Sequence, residues 1–295
     1  MEHDRKVKVL CPVPWSHHHS GWPFCVNSLR RNFHSDDGVL LYTNAIVSEI
    51  ILSDQVHEAP WIGFLHAPPD DELEYNLNNN PACLESLKRC QGIYSLSDFV
   101  TQFVRDNTKV LADTILLAVD RPKWNFHFEQ YHKNSEKRLL LVGHWFRRFE
   151  GLYEVDGGVH RKTILRCTNL EHPSGVDVMS FLSGDDYEKV FVDNIMFLQL
   201  TAASANNVVV ECIVRGTPLV VNRLPAVEEY LGKDYPLFYN TIDEASEKIK
   251  DQDLILAAHH HLLKMDIERF TEDGFIKAFD ESSIYQRLKR RLAML

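Results

Sequence analysis

Two clusters of side chains in this 295-residue sequence have the means to hold an anion. The apolar run 139–142 ends in Gly143, and His144, Trp145, Phe146, Arg147 and Arg148 follow it. Guanidiniums stay charged and grip phosphate oxygens two at a time, so Arg147 and Arg148 suit a diphosphate. The alternative is a pair of solvated surface arginines. The second cluster is Ser204, Ala205, Asn206 and Asn207, just ahead of a helical run over 208–215 that Gly216 and Pro218 stop. With Asn207 as the N-cap, the unsatisfied N–H groups and the positive dipole end of that helix form an anion site. Glu211 lies about one turn in. A carboxylate there accepts hydrogen bonds from the two hydroxyls of a ribose while the helix start holds the phosphates, or else it only stabilises its own helix.

The elements that must position these groups read as an α/β alternation. Short apolar runs at 7–10, 38–42, 61–66, 92–96 and 114–119, each ending in a polar or proline-bearing turn, are expected strands of a parallel sheet. Helices are expected at 24–33 and at 99–107, the latter capped by Ser97 and Asp98 with Leu96, Phe99 and Phe103 on its apolar stripe. Between 120 and 137 the composition turns polar and aromatic, which reads as a linker. A second alternation follows, with strands at 139–142, 162–166, 176–181, 193–198 and 219–221. The expected domains are residues 1–130, residues 131–262 and a set of C-terminal helices over 263–295. Ligands of such folds sit at the carboxyl ends of the strands.

Composition narrows the function classes. A formal charge of −10, from 32 Lys+Arg against 42 Asp+Glu, argues against a nucleic-acid partner. No apolar run is long enough to span a bilayer, and the one near the N-terminus stops after about four residues at Cys11-Pro12, so a cytoplasmic location is expected. The six cysteines form no C-x-x-C pair and read as reduced and mostly buried. The motifs for P-loop, dinucleotide, serine-hydrolase and zinc-protease chemistry are missing. His17-His18-His19 and His259-His260-His261 lack accompanying carboxylates or cysteines, and no D-x-D follows a strand, so no metal and no cofactor are expected.

The stretch from Ser204 through Glu211-Cys212-Ile213-Val214-Arg215-Gly216-Thr217-Pro218-Leu219-Val220-Val221 to Leu224-Pro225-Ala226-Val227-Glu228 and Gly232 resembles the donor-binding segment of glycosyltransferases with the GT-B fold, nearest to the retaining family-4 type. Gly143-His144-Trp145-Phe146-Arg147-Arg148 looks, more loosely, like that family's basic diphosphate loop. The resemblance implies two Rossmann-like domains facing across a cleft, a nucleoside-diphosphate sugar as donor and a glycan or glycoconjugate as acceptor. It implies that Glu211 binds the donor ribose and that Leu224, Pro225, Ala226, Val227 and Glu228 approach the diphosphate and sugar. Two positions depart from the pattern. Ala203 stands where the family's E-x7-E motif has its first glutamate, and Arg223-Leu224-Pro225-Ala226 replaces the paired glycines before Glu228.

On the acceptor side, His66 ends the run 61–66 just before Pro68-Pro69. Its imidazole orients or deprotonates an acceptor hydroxyl, or is a packed structural histidine. Gly21 and Trp22 lie where the family has a small-residue loop near the acceptor, and Gly21 permits close approach. The basic amphipathic segment 282–295, with Ile284, Leu288, Leu292 and Leu295 on one face, docks on its own protein or makes a weak membrane-surface contact. The expected function is metal-independent sugar transfer, with His66, Arg147 and Arg148 as catalytic residues. The alternatives are a degenerate nucleotide- or glycan-binding protein without turnover, and a nucleotide-sugar epimerase on the same scaffold.

Overall fold

The computed structural model describes residues 6–10, 21–44, 50–165, 173–180, 182 and 184–292. The three histidines at 17–19, Cys11, Cys167, Phe181 and Leu295 lie outside the described residues. The chain divides into two compact units, one of residues 1–120 with 268–295 and one of residues 121–267.

The first unit holds a parallel sheet in the order β1 (Val7–Leu10), β2 (Val39–Tyr42), β3 (Trp61–Leu65), β4 (Cys90–Ser95), β5 (Ala112–Thr114). All five residues of β3 are buried, as a strand covered on both faces requires. Alternation along β3 sends Trp61 and Leu65 to a core with Leu73, Leu77, Val100 and Val104. The opposite face carries Phe64, stacked on Tyr94 with ring centroids 4.9 Å apart. Both rings meet Phe279 of the Glu272–Glu281 helix, which also touches Phe33 of the Trp22–Phe33 helix.

Two local expectations change here, and of the two readings of the C-terminal helix the structure takes docking on its own protein. The helix after β4 starts at Asp98 with Ser97 accepting from the Val100 N–H, and that phase turns Val100 and Val104 inward while Phe99 is 38% exposed. Ile115, Leu117, Ala118 and Val119 are buried, but only Ala112–Thr114 joins the ladder. Beyond it the Ile115 N–H still reaches Ser95, whereas the Val119 N–H turns to Phe270. The apolar face of the Ser283–Leu292 helix is used within its own unit, with Ile284, Tyr285 and Leu288 buried. Asp113 caps the start of that helix, accepting from Ser283 Oγ (2.8 Å) and the Ile284 N–H (2.9 Å). A membrane contact through that face is therefore set aside.

The second unit holds a six-stranded parallel sheet, β6 (Arg138–Val142), β7 (Arg161–Leu165), β8 (Asp177–Met179), β9 (Ile195–Leu198), β10 (Leu219–Asn222) and β11 (Phe238–Tyr239). Its order is β11-β10-β9-β6-β7-β8. Numbered from β6, that is the 3-2-1-4-5-6 arrangement of the doubly wound dinucleotide fold, in which the chain reverses direction across the sheet between β6 and β9. The expected linker over 120–137 is instead part of this unit. Phe126 and Tyr131 are buried, and a helix spans Phe128–Lys133, so a boundary at 130/131 cuts through it. Aromatic anchors five residues apart leave no helical or strand period, which is why the segment reads as polar connection.

Gly92 faces the Ser283–Leu292 helix so closely that a Cβ there would lie 2.5–2.7 Å from three side-chain atoms of Ile284. Ile is stiff at χ1 and has nowhere to swing. Gly92→Ala is expected to cost roughly 1–3 kcal/mol in chemical denaturation, and Ile284→Ala in the same background to lose little more.

Candidate functional site

In a parallel sheet all carboxyl ends share one edge, so the exits of β6, β9 and β10 bring the sequence candidates of the second unit to one place. These exits are stitched together through the backbone. The Arg148 N–H donates to Gln199 O (2.8 Å) and the Thr201 N–H to Phe146 O (2.9 Å). Asn222, ending β10, accepts from the Leu200 N–H (2.7 Å) and donates back to Leu200 O (2.9 Å). Phe146 is held at φ 55°, the one non-glycine residue at positive φ among the described residues. A bulky side chain there costs of order 1–3 kcal/mol, strain of the kind that collects at ligand-binding loops.

Within this edge, Arg147 folds back over Gly143, whose φ of 81° opens the turn. A Cβ on Gly143 would sit 3.2 Å from Arg147 Cζ. The guanidinium donates from Nη1 to Trp145 O (2.7 Å) and points Nη2 at Asn206 Oδ1 (3.5 Å). Its Nε is buried and donates to nothing among the described residues. Burial pushes its pKa down to about 10, with Tyr187 and Glu211 working the other way, so it remains a cation at neutral pH. Arg148 is tied through its backbone, and its side chain stays at the surface, as does His144. The two arginines thus do not form one clamp.

The helix behind this loop is Asn207–Arg215, and its N-cap is Asn206 rather than Asn207. Asn206 is extended (φ −146°), and its Oδ1 accepts from the Val208 (3.0 Å) and Val209 (3.4 Å) N–H groups. Gly216 ends the helix in the left-handed region (φ 68°). His259 Nδ1 donates to Gly216 O (2.7 Å) and His261 Nε2 to Leu231 O (2.7 Å), so two of the C-terminal histidines support helix ends.

Glu211 is 1% exposed. Tyr187, on the Gly184–Val192 helix, donates its hydroxyl to Glu211 Oε2 at 2.7 Å. Arg215 pairs with Glu188 through Nη2 (2.6 Å) and Nε (3.2 Å), and its Nη1 reaches Glu211 O (3.2 Å). Burial raises the Glu211 pKa to about 7, against the opposing pull of Arg215, Tyr187 and Arg147. Ser204 and Ala203 are buried beside the helix start. Leu224 and Pro225 open the Pro225–Leu231 helix, Ala226 and Val227 face inward, and Glu228 pairs with Arg223 (2.6 Å).

Sequence reasoning missed Tyr187, Glu188 and Asn222. An aromatic and an acid on a surface-like helix, or a polar residue closing an apolar strand, carry no signal until their partners are known.

In the first unit, His66 follows β3 and stacks on Trp22, with ring centroids 5.4 Å apart. Trp22 Nε1 donates to Thr43 O (3.0 Å), and Gly21 sits at φ 78° ahead of it. Burial drives the His66 pKa down to about 4, opposed by a hydrogen bond to the Thr43 backbone, so its imidazole is neutral at pH 7. A cavity of about 450 Å³ lies elsewhere, at the amino ends of β7 and β8, lined by Tyr153, His160, Lys162 and the Arg161–Asp177 pair. It holds none of the candidates. Among the described residues no group of three or more His, Cys, Asp or Glu is placed to hold a metal, and no helix is long and apolar enough to cross a membrane.

No family model matches the chain, and no curated protein matches it in sequence. Among solved structures it is similar to TarM of S. aureus, with a TM-score of 0.60 and 14% identity over 88% of this chain and 57% of TarM. It is similar to HepE of Anabaena, solved with UDP-glucose, with a TM-score of 0.57 and 14% identity over 80% of this chain and 72% of HepE. The pneumococcal O-GlcNAc transferase GtfA, solved with UDP and GlcNAc, gives a TM-score of 0.60 and 8% identity over 79% of this chain and 53% of GtfA. The chain has the GT-B glycosyltransferase fold. It spans a little over half the length of TarM and of GtfA.

Two variants test this geometry. Gly143→Ala forces an alanine to positive φ and crowds Arg147, and is expected to cost about 1–2 kcal/mol in thermal or denaturant unfolding. Glu211 binds its proton more tightly folded (about 7) than unfolded (4.5), so its contribution is fully present at low pH and stability falls as pH rises through that window. The limiting slope is about 1.4 kcal/mol per pH unit. Glu211→Gln should flatten the melting temperature between those pH values, and a melting curve as steep as wild type would contradict the buried carboxyl.

Proposed function

We propose that this chain moves a sugar from a nucleoside-diphosphate sugar to a hydroxyl acceptor on a glycan or glycoconjugate, with retention of configuration and without a metal. The observation that carries this reading is Arg147. A half-buried guanidinium whose buried Nε lacks an acceptor among the described residues lies beside a capped helix start, at the switch point of a 3-2-1-4-5-6 sheet. An anionic oxygen completes it. The neighbours support the same ligand class, since HepE and GtfA were solved with UDP-glucose and with UDP, and a TarM structure holds UDP and α-GlcNAc-glycerol.

The chemistry asks for little else. Breaking the bond between the anomeric carbon and the phosphate oxygen develops negative charge on the departing diphosphate, and a fixed cation there lowers the barrier. Arg147 supplies it, with Arg148 and His144 at the rim. Glu211 accepts the ribose hydroxyls, and Leu224 to Glu228 border the sugar. The acceptor oxygen bonds to the anomeric carbon and its proton passes to the departing phosphate. His66, beside Trp22 in the first unit and with a pKa near 4, is too weak a base for that proton.

A second reading, nucleotide binding without turnover, is favoured by one observation: Ala203 occupies the place of the family's first glutamate. Thermal stability against a panel of nucleoside diphosphates, UDP first, tests the shared donor site. Ligand at 100 times its Kd should add about 2.7 kcal/mol, lost in Arg147→Ala and reduced in Arg147→Lys. No rise with any nucleotide in folded protein rejects both readings. Acceptor-dependent release of UDP that persists in EDTA separates transfer from binding alone, and its loss in EDTA contradicts the metal-free mechanism.

A further inference from the structure

The hydroxyl of Tyr187 belongs to no donor motif, yet it donates a hydrogen bond to the group assigned to the ribose. We infer that Tyr187 is a positioning residue for the donor: by fixing Glu211 through Oε2 it sets how strongly that carboxylate grips the ribose hydroxyls. The inference rests on the nucleotide-sugar reading above.

The geometry is specific. The carboxyl is buried and the phenol half-buried, 2.7 Å apart, on two helices that the Arg215–Glu188 pair also joins. The Tyr187 ring is itself fixed against Phe191 (centroids 5.1 Å), and the Arg215 guanidinium lies 5.1 Å from the same Phe191 ring. A phenol held this way donates in one direction. Burial and the neighbouring Glu211 keep it protonated well above its usual range, so it remains a donor at neutral pH. A hydrogen bond from a neutral donor favours the charged form of its acceptor. Tyr187 thereby keeps Glu211 ionised further down in pH than burial alone would allow, and only the ionised form has both oxygens available to accept ribose hydroxyls.

Other charges also face Glu211. From the Gly184–Val192 helix comes Glu188, from the loop after β6 comes Arg147, and from its own helix come Arg215 and Cys212. Glu188 is paired with Arg215, and burial holds the Cys212 thiol protonated near neutrality. Arg147 is a constant cation there.

The test is the pH dependence of UDP binding, measured by calorimetry on wild type, Tyr187→Phe and Tyr187→Leu. Wild-type affinity should weaken as pH falls through 7. In Tyr187→Phe the midpoint should move up by about one pH unit, which is up to a tenfold loss of affinity at pH 7 that closes as the pH rises. Tyr187→Leu, which also lacks the hydroxyl but fills the space with aliphatic carbon, should give the same shift and serves if the phenylalanine variant does not fold. In a Glu211→Gln background, removing the hydroxyl should change neither affinity nor profile. Wild type that binds UDP, with hydroxyl-free variants of unchanged midpoint, overturns the role of Tyr187 and leaves the donor site standing. Wild type that binds no nucleotide overturns both.

Discussion

A carboxyl buried as deeply as that of Glu211 is the constraint around which the second unit is arranged. A charge moved out of water loses several kcal/mol of hydration unless partners replace it. Here the replacement is spread over three elements. Tyr187 donates a hydrogen bond, Arg215 brings a cation already held by Glu188, and Arg147 leans in from the loop after β6. The compensation is incomplete, since the carboxyl still titrates near neutrality rather than in the ordinary acid range. An acceptor so poised gains from additional donors, which is what vicinal ribose hydroxyls offer.

The same arrangement explains why the loop after β6 is built under strain. Phe146 at positive φ and Gly143 at φ 81° curl the chain until the Arg147 side chain returns over Gly143 toward Asn206. The curl is pinned by backbone bonds to Gln199 and Thr201 and through Leu200 to Asn222. Three strand exits are thereby tied into one rigid edge, and the cation is fixed before any ligand arrives. Preorganised charge is what a departing diphosphate requires, because reorienting a mobile arginine or water would cost energy at the moment of reaction. By contrast, the Arg148 side chain remains at the surface, without such a fixture among the described residues.

Most of the sheet was legible because buried parallel strands are short apolar runs closed by turns, and β1 to β4, β6, β7, β9 and β10 read that way. β11 is two residues long and carries no period. The run 115–119 is as apolar as a strand but leaves the ladder. At the candidate site, Gly143, Arg147 and Glu211 were singled out by their spacing from strand and helix ends, and the structure brings them to one sheet edge. The cap fell one residue from its expected place because two asparagines are adjacent and either could begin the helix. Tyr187, Glu188 and Asn222 were illegible, since each acts only through a partner more than twenty residues away in sequence or across the sheet.

The central claim is that Arg147 receives the donor diphosphate, and the most direct measurement is an experimental structure of the chain with UDP bound. The account predicts a diphosphate oxygen within hydrogen-bonding distance of Arg147 Nε, with the ribose hydroxyls on Glu211. UDP bound at the amino ends of β7 and β8, or on the carboxyl edge with Arg147 Nε still lacking an acceptor, would contradict it.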